Sequence, residues 1–129
     1  MSFKAKFEVD GNEYRVLKCS YSLHQAVDDT GRPSSTTRGG IVNLVIESTD
    51  DTSLFEWMCD SYMRKDCKLT FNKRDEDSKL KELEITEAYM VEYDESFDNA
   101  DNGAMVESFS LSALRIKLGN GEHENEWAM

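Results

Sequence analysis

The sequence predicts a mainly β protein, a small antiparallel β-barrel or rolled β-sandwich with one α-helix packed at its side. Three observations support this fold class. Several long segments alternate apolar and polar residues with the period of a half-buried strand. Two of these segments change phase partway along, as strands do at a bulge that carries them from one surface to another. A single segment has convincing helical spacing.

The chain opens with a predicted hairpin. Residues 3–9 alternate apolar and charged side chains, and residues 10–12 (Asp-Gly-Asn) supply a turn. In the second arm the apolar face changes phase near Leu17 and then continues through Cys19, Tyr21 and Leu23. This slip predicts a bulge that bends the strand.

A long polar loop follows, and it separates the hairpin from the next strand at residues 41–46. A hairpin needs only two to five residues to reverse direction, so a loop of about a dozen is more typical of a binding element. The loop contains Arg32, Pro33 and Arg38, and its two arginines supply positive contacts on an acidic chain, as pairing across an interface between copies requires. The strand 41–46 is apolar on both faces apart from Asn43, which predicts cover by a helix or a neighbouring subunit.

The one predicted helix begins near Ser53, which forms a capping-box pattern with Glu56. We expect it to end near Arg64 or Lys65. Trp57 lies off its main apolar stripe. The residues of that stripe are Leu54, Phe55, Met58, Cys59 and Tyr62.

Three strand segments complete the sheet. Residues 68–73 alternate, and the charged residues 74–78 predict a turn. A long strand at residues 83–93 places Leu83, Ile85, Tyr89, Val91 and Tyr93 on one face. After a polar connection at 98–103, the segment 105–118 changes phase between Leu111 and Leu114, which predicts a second bulge.

The last segment, residues 119–129, has no hydrophobic period. We therefore expect a flexible tail unless a partner holds it. An aromatic residue in a tail often marks a docking contact, so Trp127 is a candidate for contact with a partner.

Composition bounds the function classes. We predict a single domain, 1–129. Its formal net charge of −11 would repel anionic partners, so we predict no nucleic-acid binding and no membrane insertion. The first ten residues carry charges throughout and lack an apolar core, so we expect synthesis in the cytoplasm without a signal peptide. Cys19, Cys59 and Cys67 lack CxxC spacing and predict free thiols. Cys19 and Cys59 lie on apolar faces, so we expect them to be buried. Cys67 lies at the start of a strand, where a side chain can be exposed to solvent.

No pattern in the chain indicates catalysis. His24 and His123 are the only histidines, and neither they nor the cysteines fall at a metal-ligand spacing. We therefore predict no enzyme activity, no catalytic residues, no metal and no cofactor. An enzyme would require both histidines to converge with a carboxylate.

A second function class stays open on the residues alone: a carrier whose barrel interior holds an apolar small molecule. A tightly packed core would exclude it. The residues expected to close that core are Phe7, Leu44, Phe71 and Phe109.

Six segments, in order along the chain, closely resemble the type VI secretion tube protein family, Hcp or TssD, in its Bacteroidetes form. They are CSYS (19–22), TGRPSSTTRGG (30–40), TSLFEWM (52–58), FNKRDED (71–77), AYMVEYDESF (88–97) and LSA (111–113). The resemblance extends over nearly the whole chain, so it is far more specific than any isolated motif.

This resemblance implies a structural subunit that forms hexameric rings, stacked into a hollow tube like that of a phage tail. It implies self-association, contacts with sheath, spike and effector proteins, effectors carried or shielded in the lumen, and secretion through the type VI system. It also implies that the loop from Asp28 to Gly40 reaches an adjacent subunit or ring. The residues predicted to form this interface are Asp28, Asp29, Arg32, Pro33, Arg38, Gly39 and Gly40.

Overall fold

The computed structural model describes residues 3–73, 79–100 and 103–127. The strands in these ranges are β1 (Phe3–Val9), β2 (Asn12–His24), β3 (Arg38–Glu47), β4 (Arg64–Lys73), β5 (Lys79–Asp98), β6 (Ala104–Leu118) and β7 (Gly121–Glu124), and the helix is α1 (Ser53–Cys59). The predicted turn at 74–78 lies outside the described residues.

Neighbouring strands are antiparallel throughout, in the order β3-β2-β1-β4-β5-β6-β7. A further pairing, between β3 and β6, closes the first six strands into a barrel. β7 adds to the C-terminal part of β6, beyond the part that β3 covers. The predicted fold class, a mainly β barrel with one helix, is confirmed.

β1 and β2 form the predicted hairpin. Asp10 and Gly11 have φ values of 52° and 80°, as tight hairpin turns that match the strand twist require. The register of β2 against β3 shifts between Val16 and Lys18, which confirms the bulge predicted near Leu17. Val16 is also the last β2 residue that pairs with β1, so the bulge marks the point where β2 leaves β1 and continues along β3 alone.

The predicted face of β5 is wrong at Tyr89 and Val91, whereas Tyr93 packs against the core as predicted. Ile85 is buried, Glu87 has a φ of 48°, and Ala88 is buried next, so the inward-facing set slips by one residue. Tyr89 and Val91, which were predicted on the core face, consequently face away from the core, and Val91 is 47% exposed. The slip depends on one backbone conformation, which leaves no mark in a hydrophobic pattern.

β6 changes phase where the sequence predicts, since Ala113 and Ile116 are both buried. The tail prediction is wrong for Gly121–Glu124, which forms β7 against β6. The Asn125 amide continues this attachment and donates a hydrogen bond of 2.7 Å to the Leu114 carbonyl.

The helix is shorter than predicted, because Arg64 and Lys65 already belong to β4. No capping box forms at Ser53. The N-cap position is Thr52, and the Asp51 carboxylate accepts hydrogen bonds from the Ser53 amide (3.0 Å) and hydroxyl (2.8 Å). The negative charge of this carboxylate also interacts favourably with the positive, N-terminal end of the helix dipole.

Leu54 and Trp57 form the buried face of α1, at 2% and 1% exposure. The prediction that Trp57 lies off the apolar stripe is therefore wrong, and its indole Nε1 donates a hydrogen bond of 2.9 Å to the Met63 carbonyl. Phe55 and Tyr62, which were predicted on the stripe, are 56% and 83% exposed. A seven-residue helix docks through one short strip, and the residues three apart, 54 and 57, define it.

Packed side chains fill the barrel interior. Phe7, Leu44 and Phe109 are almost completely buried, and the ring centroids of Phe7 and Phe109 lie 5.4 Å apart. Phe71 packs against the same cluster. This packing counts against an apolar carrier, which needs space inside the barrel.

The three cysteines are free, but two occupy the opposite environments to those expected. Cys59, predicted to be buried, is exposed, whereas Cys67 is buried and burial raises the pKa of its thiol well above the ordinary range. No helix within the described ranges has the length and apolar character needed to cross a membrane.

Candidate assembly surfaces

One sheet of the barrel has two unpaired edges. Its order is β2-β3-β6-β5, and among the described residues, residues 17–24 of β2 pair only with β3, while residues 91–98 of β5 pair only with β6. We call these segments the β2 edge and the β5 edge. They are equal in length and lie on opposite sides of the sheet. Unpaired strand edges present backbone N–H and C=O groups to which another chain can pair.

The two edges carry opposite charges. The β2 edge contains Lys18 and His24 and no carboxylate. The β5 edge contains no basic residue. Its carboxylates are Glu92, Asp94, Glu95 and Asp98. Each edge also exposes apolar side chains, among them Leu23 at 51% and Phe97 at 60%.

Residues 25–37, here called the arm, connect β2 to β3 and are folded by their own hydrogen bonds. The Asp28 carboxylate accepts from the amide (2.9 Å) and hydroxyl (2.7 Å) of Thr30 and from the amide of Arg32 (3.1 Å). These bonds, with that of the Thr30 hydroxyl largest, lower the pKa of Asp28 below its usual range. The backbones of Asp28 and Arg32 are also joined by a hydrogen bond of 2.8 Å.

Five of the predicted interface residues are exposed: Asp28, Asp29, Arg32, Pro33 and Arg38. Pro33 forms an isolated bridge with Val27, and Arg38 pairs with His24 at the base of the arm. Among the described residues, no carboxylate forms an ion pair with the guanidinium of Arg32 or Arg38. Arg32 and Arg38 therefore present positive groups without an ion-pair partner among the described residues, on a chain whose formal net charge is −11.

Gly39 and Gly40 lie apart from the exposed tip, in the first residues of β3. The Asn125 side-chain amide donates to the carbonyls of Gly39 (3.0 Å) and Ala113 (2.9 Å). Gly40 has a φ of 98°, and a Cβ there would lie 2.5 Å from Asn125 Nδ2. Gly40 thus gives the chain's own tail room to bind across β3 and β6.

Trp127 packs against Tyr89, with ring centroids 5.2 Å apart. This contact is within the chain, whereas the sequence suggested a contact with a partner. Ser61, Tyr62, Val91, Ser112 and Glu126 line the same groove. The side chains of Tyr62 and Val91 are exposed to solvent in this groove and give it an apolar surface.

A group of acids and phenols lies where α1 meets the barrel. Tyr14 is buried and donates a hydrogen bond to Asp51, and burial together with this bond raises the pKa of Tyr14 to about 12. Tyr93 donates a 2.6 Å hydrogen bond to Glu107. Within the described residues, no three or more His, Cys, Asp or Glu are placed to hold a metal ion.

Sequence reasoning missed the two edges. The β2 edge follows from the bulge at Leu17, which was predicted, but its loss of contact with β1 depends on tertiary pairing. The charge signal was readable: residues 92–98 are rich in carboxylates and residues 17–24 have none. Charge segregation of this kind indicates a pairing preference only when both segments are known to be edges.

Comparison with known proteins adds the relationships of the chain. The family model described as hemolysin coregulated protein Hcp (TssD) matches residues 1–128. Hcp1 from Flavobacterium johnsoniae is 47% identical, with a TM-score of 0.90 over 95% of this chain and 99% of that chain. A search of curated proteins finds no match.

More distant structures share the fold. Hcp1 from Salmonella typhimurium is 14% identical, with a TM-score of 0.72 over 91% of this chain and 86% of that one. A chain of the PVC sheath-tube complex, an extracellular contractile injection system, is 20% identical, with a TM-score of 0.54 over 88% and 86% of the two chains.

Proposed function

The chain belongs to the Hcp (TssD) family of secretion-system tube proteins, and we propose that its copies close into hexameric rings by pairing the β2 edge of one copy with the β5 edge of the next. It is a self-assembling structural tube subunit. The observation that carries the proposal is the pair of free edges on one sheet.

The strand directions suit this pairing. Successive strands in β2-β3-β6-β5 are antiparallel, so β2 and β5 run in opposite directions. A β2 edge placed beside a neighbour's β5 edge therefore continues the antiparallel alternation. Because the two edges differ, the contact is heterologous, and a heterologous contact that closes on itself gives a ring.

The charges select this pairing over its alternatives. Lys18 on one edge and the carboxylates on the other attract across the contact. Two β5 edges would place carboxylates against carboxylates, and like charges directly opposite one another destabilise a strand pair. The ring thus favours head-to-tail order and disfavours a symmetric dimer.

Membership in the family supports the remaining parts of the proposal. Rings stack into a hollow tube whose lumen carries or shields effectors, and the tube contacts sheath and spike proteins and is secreted through the type VI system. Arg32 in the arm and Arg38 at its base, which have no ion-pair partner among the described residues, supply contacts to an adjacent subunit or ring.

Native mass spectrometry and electron microscopy of the purified chain test the ring directly. We expect hexamers at micromolar concentration, and solitary molecules at every concentration would refute the proposal. The edge pairing has its own test: Lys18→Glu should weaken association several-fold at each interface, since exposed ion pairs contribute roughly 0.2–1 kcal/mol. Lys68→Glu makes the same charge change on β4, away from both edges, and serves as the control. Equal association of the two variants would overturn the edge assignment.

A further inference from the structure

We propose that the arm of one copy binds an aromatic patch on the next copy of the same ring. The patch consists of Tyr62, Tyr89, Val91 and Trp127. This inference rests on the proposed ring and names a second contact within it.

The patch is an unusual surface for an isolated chain. Tyr62 is 83% exposed, and Val91 is 47% exposed beside it. The Trp127 ring packs on Tyr89, and both rings line the same groove as Tyr62 and Val91. Contiguous apolar surface rimmed by polar residues, here Ser61 and Glu126, is typical of a protein contact site.

The proposed edge pairing brings a neighbour's arm to this patch. When the β2 edge runs antiparallel along the β5 edge, the His24 end of one copy lies beside the Val91 end of the next. The arm starts at the following residue, Gln25. Val91 belongs both to the β5 edge and to the patch, so the two contacts are continuous.

Hydrogen bonds within a single chain hold the arm in a defined conformation before it contacts another copy. Its turn is held by the Asp28 carboxylate, and the Gln25 side chain donates a 3.1 Å hydrogen bond to the Ser35 carbonyl. Val27 is 61% exposed and sits opposite Pro33, which provides an apolar surface on the arm. A preformed arm loses little conformational freedom on docking.

Charge also matches the two surfaces. The Arg32 guanidinium has no ion-pair partner within the described ranges, and the patch offers the Glu126 carboxylate and the exposed Tyr62 ring, whose face attracts cations. Arg64 is a positive group already beside the patch, with its Cζ 6.0 Å from the centroid of the Tyr89 ring. Its Nη1 lies 3.5 Å from Oε1 of Glu87, and this carboxylate offsets its charge.

The first test is Tyr62→Ala, measured as the dilution midpoint of the full-length ring by mass photometry. Because the Tyr62 side chain is almost fully exposed, we expect an unchanged fold by circular dichroism and an association about tenfold weaker, equivalent to ~1.4 kcal/mol. Phe3→Ala also truncates an exposed aromatic, on β1, and should leave the midpoint unchanged.

The second test exchanges charges. Arg32→Glu should weaken association about tenfold, and adding Glu126→Arg in the same chain should restore it to within about threefold of wild type. Rings that tolerate both Tyr62→Ala and Arg32→Glu without a shift would overturn this inference while leaving the proposed ring intact. Failure of the double variant to recover would overturn the pairing of arm and patch. A wild-type chain that forms no ring would overturn both proposals.

Discussion

The hydroxyl of Tyr93 donates a 2.6 Å hydrogen bond to Oε1 of Glu107, whose carboxyl group is only 2% exposed inside the barrel. Oε2 of Glu107 has no hydrogen-bond partner among the described residues. Burial raises the pKa of Glu107, and the negative charges of Glu95 and Asp51 raise it further, against the opposing effect of the Tyr93 bond. A buried carboxyl whose pKa is raised by folding couples stability to pH.

Replacing this group should change how stability depends on pH. The folded-state pKa of Glu107 is raised. Its protonation therefore adds to the free energy of unfolding below the ordinary carboxyl pKa, and this stabilisation is lost as pH rises through the raised pKa. Glu107→Gln removes this loss. The free energy of unfolding of the variant should therefore rise relative to that of wild type as pH increases, by at most about 1.4 kcal/mol for each pH unit in that window.

Urea unfolding at fixed protein concentration from pH 4 to pH 9 measures this difference. Glu84→Gln, at an exposed position on β5, is the matched control and should follow wild type. A Glu107→Gln curve parallel to wild type throughout would show that folding does not raise the pKa of Glu107.

Asp51 should have the opposite pH dependence. Its pKa is lowered, first by the Tyr14 hydrogen bond and then by those from Ser53, so its contribution is present above the ordinary carboxyl pKa and lost as pH falls through the lowered value. Asp51→Asn should cost about 1 kcal/mol at neutral pH, because the amide keeps an acceptor oxygen but loses the negative charge that strengthens the bonds from Tyr14 and Ser53, and the curves should converge in acid. Thermal melts of Asp50→Asn, which changes a neighbouring exposed carboxylate, provide the comparison. A loss that does not shrink as pH falls below the ordinary carboxyl pKa would contradict the assignment.

Trp57 should be the main anchor of α1. Trp57→Ala removes a buried indole and its bond to Met63, so we expect a loss of about 3–5 kcal/mol in the free energy of unfolding. Phe55→Ala truncates an aromatic that is more than half exposed on the same helix and should cost less than about 1 kcal/mol. Similar losses for the two variants, measured by denaturant unfolding, would place the anchor elsewhere.

Gly40→Ala should detach the tail. The added Cβ meets Asn125 Nδ2 at 2.5 Å and the Ala113 carbonyl at 3.0 Å, in addition to the strain of a φ of 98°. Hydrogen exchange at the Asn125 amide should accelerate, since its bond to Leu114 depends on the same attachment. Gly31→Ala has comparable strain, at a φ of 88°, but no atom within 4 Å. It should cost only about 1–2 kcal/mol and leave that exchange unchanged.

Local patterns predicted much of the barrel. The alternation at residues 3–9 and the turn at Asp10 and Gly11 specify a hairpin with little outside help. The bulge near Leu17 was visible because an apolar face that changes sides must slip by one residue. The slip at Glu87 was invisible, because apolar residues fill both faces of β5 beyond it.

The loop was predicted as an interface from its charge and length, and that assignment stays a prediction. The structure adds that the exposed tip around Arg32 and the buried base at Gly40 have different surroundings. The tail showed no hydrophobic period, yet it forms β7 and brings Trp127 onto Tyr89. Four residues are too few for a periodic signal, and the attachment depends on a side-chain amide that binds backbone carbonyls of other strands.

By itself, the sequence determined an acidic, mainly β protein, the succession of its main strands along the chain and the family to which it belongs. Only the tertiary structure decided which strand edges stay unpaired, where α1 is anchored and what the tail covers. Hydrophobic alternation records whether a side chain faces inward along its own strand. Pairing between strands is set by distant backbone groups, and it is this pairing that leaves the β2 edge and the β5 edge open on one sheet.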